Sequence, residues 1–203
     1  MTTQPVKKVL PPNLLQAGIV VAAFTALLYV LEIVDATTSA DLDQFGIEPR
    51  TVGGLDGILF APLLHHGWAH LFSNTLPILL FGFLAMSGGL GQWIAVTATV
   101  WLTSGIGVWL TGAEGITVGA SGIAFGWLAF LLVRGLFTRS FGQLAVAVVL
   151  FLYWGSTLLG VLPGDPGISW QGHLFGALGG ILAAWIVSLA NRKSESSTPV
   201  SAV

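Results

Sequence analysis

Long apolar stretches, interrupted at wide intervals by charged residues, set the pattern of the chain. No Asp, Glu, Lys or Arg falls in 9–31, 57–113, 115–133, 140–164 or 166–191. A bilayer core takes about 20 apolar residues as helix, so each interval is long enough to span. The second interval holds two such lengths around the turn-rich run Ser87-Gly88-Gly89-Leu90-Gly91. The pattern predicts an all-α polytopic membrane protein with six transmembrane helices near 14–34, 68–86, 92–111, 116–133, 142–161 and 168–190. A membrane barrel would need apolar-polar alternation over about 10 residues at a time, and these stretches show none. The first stretch is longer than the roughly 7–15 apolar residues of a signal peptide core, so it reads as a helix.

The remaining segments divide around this core. Residues 1–13 form an N-terminal tail, 14–190 a single six-helix membrane domain, and 191–203 a polar C-terminal tail expected to be disordered. The connection over 35–67 is too long for a turn, and its second half, Gly57-Ile58-Leu59-Phe60-Ala61-Pro62-Leu63-Leu64, is too apolar for a solvated loop. It is expected to lie in the outer interface.

Composition sharpens the assignment. Of the 203 residues 54% are hydrophobic and 8% charged, with mean hydropathy +0.86, against about 25% charged in soluble domains. A soluble fold is excluded, and lipid is the solvent. A net charge of -2 offers no basic surface for a nucleic acid backbone. Cysteine is absent, which removes disulfides and thiolate chemistry. Lys7, Lys8, Arg134, Arg139, Arg192 and Lys193 fall on one side of the predicted spans, with Arg50 the one basic residue opposite. The positive-inside rule makes that side, and both termini, cytoplasmic.

Polar groups inside a bilayer are costly, so those within spans are informative. His70 and Asn74 lie early in span two, Ser121 early in span four and His173 early in span six. All three spans run from outside to inside, and at 1.5 Å per residue the four side chains reach a layer roughly 3–10 Å below the outer boundary. Gly172, Gly176 and Gly180 recur at every fourth position, as do Gly122 and Gly126, which suits close packing of span six on span four. That packing would bring His173 to Ser121, the geometry of a serine nucleophile and its general base. Each feature has a plainer explanation. A serine on a small-residue helix face usually serves packing, Gly-x-x-x-Gly is common helix vocabulary, and the eight Trp suit interfacial anchors. Coincidence of depth across three helices favours chemistry.

At these residues the sequence resembles the rhomboid family of intramembrane serine proteases. His70-x-x-x-Asn74, Gly119-x-Ser121-Gly122 and His173-x-x-Gly176 occur in the family's order and on its helices, and the likeness covers about residues 14–190. It implies a rhomboid-like bundle of the bacterial six-helix core type in the plasma membrane. It implies Ser121 as nucleophile and His173 as base, without a carboxylate third member, and an oxyanion hole built from His70, Asn74 and the Ser121 backbone N–H. It also implies cleavage of single-span membrane protein substrates near the outer face. Phe125, one turn after Ser121, is placed to pack on the His173 ring, where the family commonly has Tyr; Gly119, Gly122 and Gly176 shape the site. The Trp-Arg pair that the family often carries in its first loop is missing, since no Trp occurs between 35 and 67.

Other classes compete. An inactive relative that binds transmembrane helices would usually lack the serine or histidine, and both are present. A small transporter would more often place its polar groups at the midplane with repeat symmetry. A metal site is disfavoured because His66-x-x-x-His70 lacks the Glu of a His-Glu-x-x-His motif. No cofactor or metal is expected, and the partners are transmembrane substrates and the lipid bilayer.

Overall fold

A computed structural model describes residues 8–164 and 167–196. Helix α1 (Leu14–Thr37) starts at Asn13, whose side-chain oxygen accepts the Gln16 N–H at 2.9 Å. The following connection is built from short turns around α2 (Gly57–Phe60). Helix α3 (Trp68–Ala85) leads through a 3-10 turn, Met86–Gly88, into α4 (Leu90–Thr111). Helices α5 (Ser121–Thr138), α6 (Phe141–Trp154) and α7 (Trp170–Ser196) complete the bundle, with α6 continued by a 3-10 stretch over Gly155–Val161. Six of these helical stretches are long and apolar enough to cross a membrane. Among the described residues there is no strand, only an isolated antiparallel bridge between Ile47 and Thr117.

Helix α5 is the axis of the bundle. Ile123, Ala124, Phe125, Trp127, Leu128, Phe130 and Leu131 are all buried on it, so it meets protein on every side. Its closest partner is α7, which also packs extensively on α4. Lipid tails are as apolar as Leu, so helices in a bilayer associate through close fit rather than hydrophobic expulsion. The glycine stripes supply that fit: a Cβ on Gly176 would collide with the Gly122 carbonyl, and one on Gly180 with the Gly126 carbonyl. On its other side α7 meets α4, where a Cβ on Gly179 would strike the Thr103 side chain and one on Gly107 the Phe175 ring.

Several expectations change. The hydropathy pattern predicts the fourth span near 116–133, whereas α5 runs from Ser121 to Thr138. Its start is delayed because Thr117 bridges to Ile47 and Gly119 takes φ 127°, a left-handed conformation that cannot enter a helix. Its end is delayed because Arg134, assigned to a loop, is buried within the helix. The guanidinium donates to Ser87 Oγ and, at 3.4 Å each, to the Leu84 and Val9 carbonyls. Val9 belongs to the expected tail, so the described end of that tail contacts the bundle, where Gln143 Nε2 also donates to the Lys8 carbonyl at 3.2 Å. Helix α7 continues through Ser196, into the expected C-terminal tail; residues 197–203, like 1–7, lie outside the described residues.

Four of the eight tryptophans are more than interfacial anchors. Trp93 donates its indole N–H to the Gly82 carbonyl at 3.0 Å, and Trp127 to Thr97 Oγ1 at 3.1 Å, both as buried side chains. Trp101 and Trp109 of α4 donate to the Ile58 and Thr51 carbonyls, each at 2.8 Å. These two staple the 35–67 connection to the bundle, with Arg50 Nη1 donating to the Gly112 carbonyl at 2.7 Å. The connection therefore carries its own small core of Ile47, Ile58, Ala61 and Val108.

Candidate active site

Ser121 is the first residue of α5, and His173 sits in the first turn of α7. The Gly122–Gly176 contact lets the two helix starts approach, and His173 Nε2 lies 2.8 Å from Ser121 Oγ. The other ring nitrogen, Nδ1, is 3.0 Å from the Gly160 carbonyl oxygen. A carbonyl only accepts, so Nδ1 carries the proton and the Nε2 lone pair faces the serine hydroxyl, which donates to it. That is the tautomer a general base requires. The Phe125 ring stacks on the imidazole, 3.9 Å between centroids and 5° between planes.

Gly160 is not marked by any sequence motif. It belongs to the 3-10 stretch after α6, and its lack of a side chain matters, since a Cβ there would come within 3.0 Å of Phe125 and 3.1 Å of His173 Nδ1. No residue type announces a backbone acceptor, so composition gives no signal for it.

The donors lie on α3 and at the head of α5. One N–H of the Asn74 amide goes to the His70 carbonyl at 2.9 Å, leaving the other for the cavity, which Asn74 lines. The His70 ring lies over Gly119, where any Cβ would come within 2.8 Å of its Nε2; residue 119 must be Gly for this approach and for its φ. The first i to i-4 bond of α5 is Ala124 N–H to Ala120 C=O, at 3.1 Å. The Ser121, Gly122 and Ile123 N–H groups precede it and have no acceptor within the helix. They form the positive end of the helix dipole beside the hydroxyl.

Ser104 is a further contact that the sequence pattern does not single out. Its buried hydroxyl donates to the Gly172 carbonyl at 2.8 Å and fills the space against Gly122, so it touches the chain beside each member of the Ser-His pair. A lone serine amid the Thr and Gly of α4 carries no pattern that would single it out.

The neighbouring histidines are sorted by their surroundings. His65 is buried, its Nε2 accepts the Ala120 N–H at 3.5 Å, and its ring meets the His70 ring edge-on at 5.1 Å. Burial first, then the adjacent His70 and His66, hold its pKa down to about 3, so it is a neutral acceptor. His66 is half exposed and contacts Asp43 at 2.7 Å. Among the described residues no group of three His, Cys, Asp or Glu is arranged to hold a metal ion. A cavity of about 920 Å³ joins these parts, lined by His70, Asn74, Ser121, Phe125 and His173 among others.

A six-span bundle with a serine and a histidine meeting between two glycine-packed helices defines a class of membrane protein. The rhomboid domain family matches residues 53–190, and the chain belongs to the rhomboid family, which points to intramembrane serine proteases. An uncharacterized protein of Mycobacterium tuberculosis (strain ATCC 25618 / H37Rv) is 43% identical over 203 residues, covering 96% of this chain and 83% of the relative. An uncharacterized protein of Mycobacterium leprae (strain TN) is 46% identical over 187 residues, covering 88% and 74%. A Bacillus subtilis (strain 168) protein named "Putative rhomboid protease YdcA" is 31% identical over 127 residues, covering 61% and 63%.

Proposed function

We propose that the protein is an intramembrane serine endopeptidase that cuts transmembrane segments of membrane proteins near the outer face. The observation that carries this reading is the 2.8 Å approach of His173 Nε2 to Ser121 Oγ, with Nδ1 held by Gly160. Ser121 Oγ attacks the scissile carbonyl as its proton passes to Nε2. The resulting imidazolium is steadied by the Gly160 carbonyl and the face of Phe125. The oxyanion takes hydrogen bonds from the Ser121 N–H, the His70 ring and the Asn74 amide, each such donor contributing about 2.7–4 kcal/mol in a dry site. Collapse expels the amine, which takes the proton from Nε2. Water then hydrolyses the acyl-enzyme with the same imidazole as base.

In this reading both termini face the cytoplasm of a bacterial cell and the cavity opens outward, following the distribution of basic residues. Substrates are single-span proteins whose helix unwinds readily, because a helix satisfies its own carbonyls and shields them from attack. The test is reconstitution in liposomes with a panel of tagged single-span proteins, comparing wild type with Ser121→Ala. Cleavage by the wild type alone supports the reading. Capture of uncut substrates by both would favour a helix-binding protein instead.

A further inference from the structure

Pro77 stands in the middle of α3, on the cavity-lining face together with Ser73 and Asn74. Proline has no backbone N–H, so the Ser73 carbonyl, four residues earlier, loses its α-helical donor. Carbonyls in a helix point toward its C-terminus, so this one is directed at the Pro77 ring, and both residues border the cavity that contains Ser121. Ser73 itself is exposed there, and its hydroxyl turns away to donate to the His70 carbonyl at 2.7 Å. An unpaired carbonyl in a membrane segment is costly, and a proline in a helix interior adds to that cost.

The converse defect belongs to the substrate. A transmembrane segment that unwinds for attack exposes backbone N–H groups that have no water to bond in the hydrocarbon region. Resting on the proteolytic reading, we infer that the Ser73 carbonyl freed by Pro77 accepts a hydrogen bond from a backbone N–H of the unwound substrate chain. Ser73 follows His70 by three residues and precedes Asn74 by one, so the contact lies within about 5 Å of both oxyanion donors along α3. An extended chain rises about 3.3 Å per residue, which sets the bonded N–H one to two residues from the scissile bond. The contact recognises the extended backbone, not a side chain, and so selects segments that unwind.

The experiment compares wild type and Pro77→Ala in liposomes with a tagged single-span reporter carrying a Gly- and Ala-rich outer segment. Alanine restores the donor to the Ser73 carbonyl and withdraws it from the substrate. The expected result is a KM raised about tenfold, the worth of one hydrogen bond, with kcat unchanged. Fluorophosphonate labelling of Ser121 stays at the wild-type rate because the probe has no peptide N–H, and the melting temperature rises as the proline is removed. A proline scan of the reporter adds a second readout: one position near the cut raises KM for the wild type and leaves it unchanged for Pro77→Ala. An unchanged KM in the variant overturns the inference, as does a parallel loss of labelling and cleavage, which would make Pro77 a shaper of the Ser-His pair. Absence of Ser121 labelling in the wild type overturns the proteolytic reading itself, and the inference with it.

Discussion

The Phe125 ring lies flat on the His173 imidazole, with centroids 3.9 Å apart and planes 5° from parallel. Together with the Gly160 carbonyl on Nδ1, it holds the ring at the position where a Ser-His-Asp triad uses a carboxylate. Phe125→Leu keeps an apolar filler and removes the flat π face. The expected loss is about tenfold in kcat, in line with an aromatic contact of roughly 0.5–1.5 kcal/mol, with KM little changed. Phe125→Tyr retains the stack and should retain the rate. Steady-state cleavage and fluorophosphonate labelling of the two variants check this.

Helix packing is the second target. The Gly176 Cα faces the Gly122 carbonyl with no room for a side chain, so Gly176→Leu must push α7 from α5. A displacement of about 1 Å at the reacting groups costs roughly 100-fold in rate. Melting in detergent establishes that the variant folds before its rate is read. Full activity in a folded Gly176→Leu protein would show that this contact does not set the Ser121–His173 distance.

These relationships were unevenly legible in the sequence. The Gly172/Gly176/Gly180 and Gly122/Gly126 stripes expose the face of each helix, so the meeting of Ser121 and His173 follows from spacing. The Phe125 stack follows too, being one turn from Ser121. The start of α5 was hidden because an apolar run of 116–120 has the same hydropathy whether helical or extended; Gly119 and the Ile47–Thr117 bridge decide it. Arg134 misled for a related reason. A charge normally ends a span, yet here Ser87 and two backbone carbonyls accept hydrogen bonds from the Arg134 Nη groups inside the protein. Gly160 and the Trp101 and Trp109 staples engage main-chain atoms, which leave no trace in residue type.

A pH dependence of stability follows from His65. Its folded pKa is depressed to about 3, while the unfolded chain has the ordinary value near 6.5. Between those values the unfolded state binds a proton that the folded state does not, so stability is full above about pH 6.5 and falls as pH drops toward 3. The slope is about 1.4 kcal/mol per pH unit for one group. His65→Gln keeps a side-chain acceptor for Ala120 without titrating. Unfolding of the two proteins at several pH values should converge as pH falls, the wild type losing stability faster. Parallel curves would mean that His65 is not buried as a neutral acceptor.

Covalent labelling tests the chemistry most directly. A fluorophosphonate reacts with a serine that has both an activated hydroxyl and donors for the developing oxyanion. Ser121 combines them: Nε2 of His173 is 2.8 Å from its oxygen, and its own N–H stands unpaired by the helix beside His70 and Asn74. Ser104, buried and close by, instead donates its hydroxyl to the Gly172 carbonyl. Labelling should therefore fall on Ser121 alone, vanish in Ser121→Ala, and drop by orders of magnitude in His173→Ala. His70→Ala and Asn74→Ala should each reduce it by about 100-fold or more, the worth of one oxyanion donor, while His66→Ala leaves it near wild type. Chelators should have no effect. Acid should quench labelling, because a protonated His173 has no lone pair with which to take the serine proton. A folded wild-type protein that resists the probe and cuts no reporter would leave the Ser121–His173 contact a structural hydrogen bond and the protein a binder of transmembrane helices.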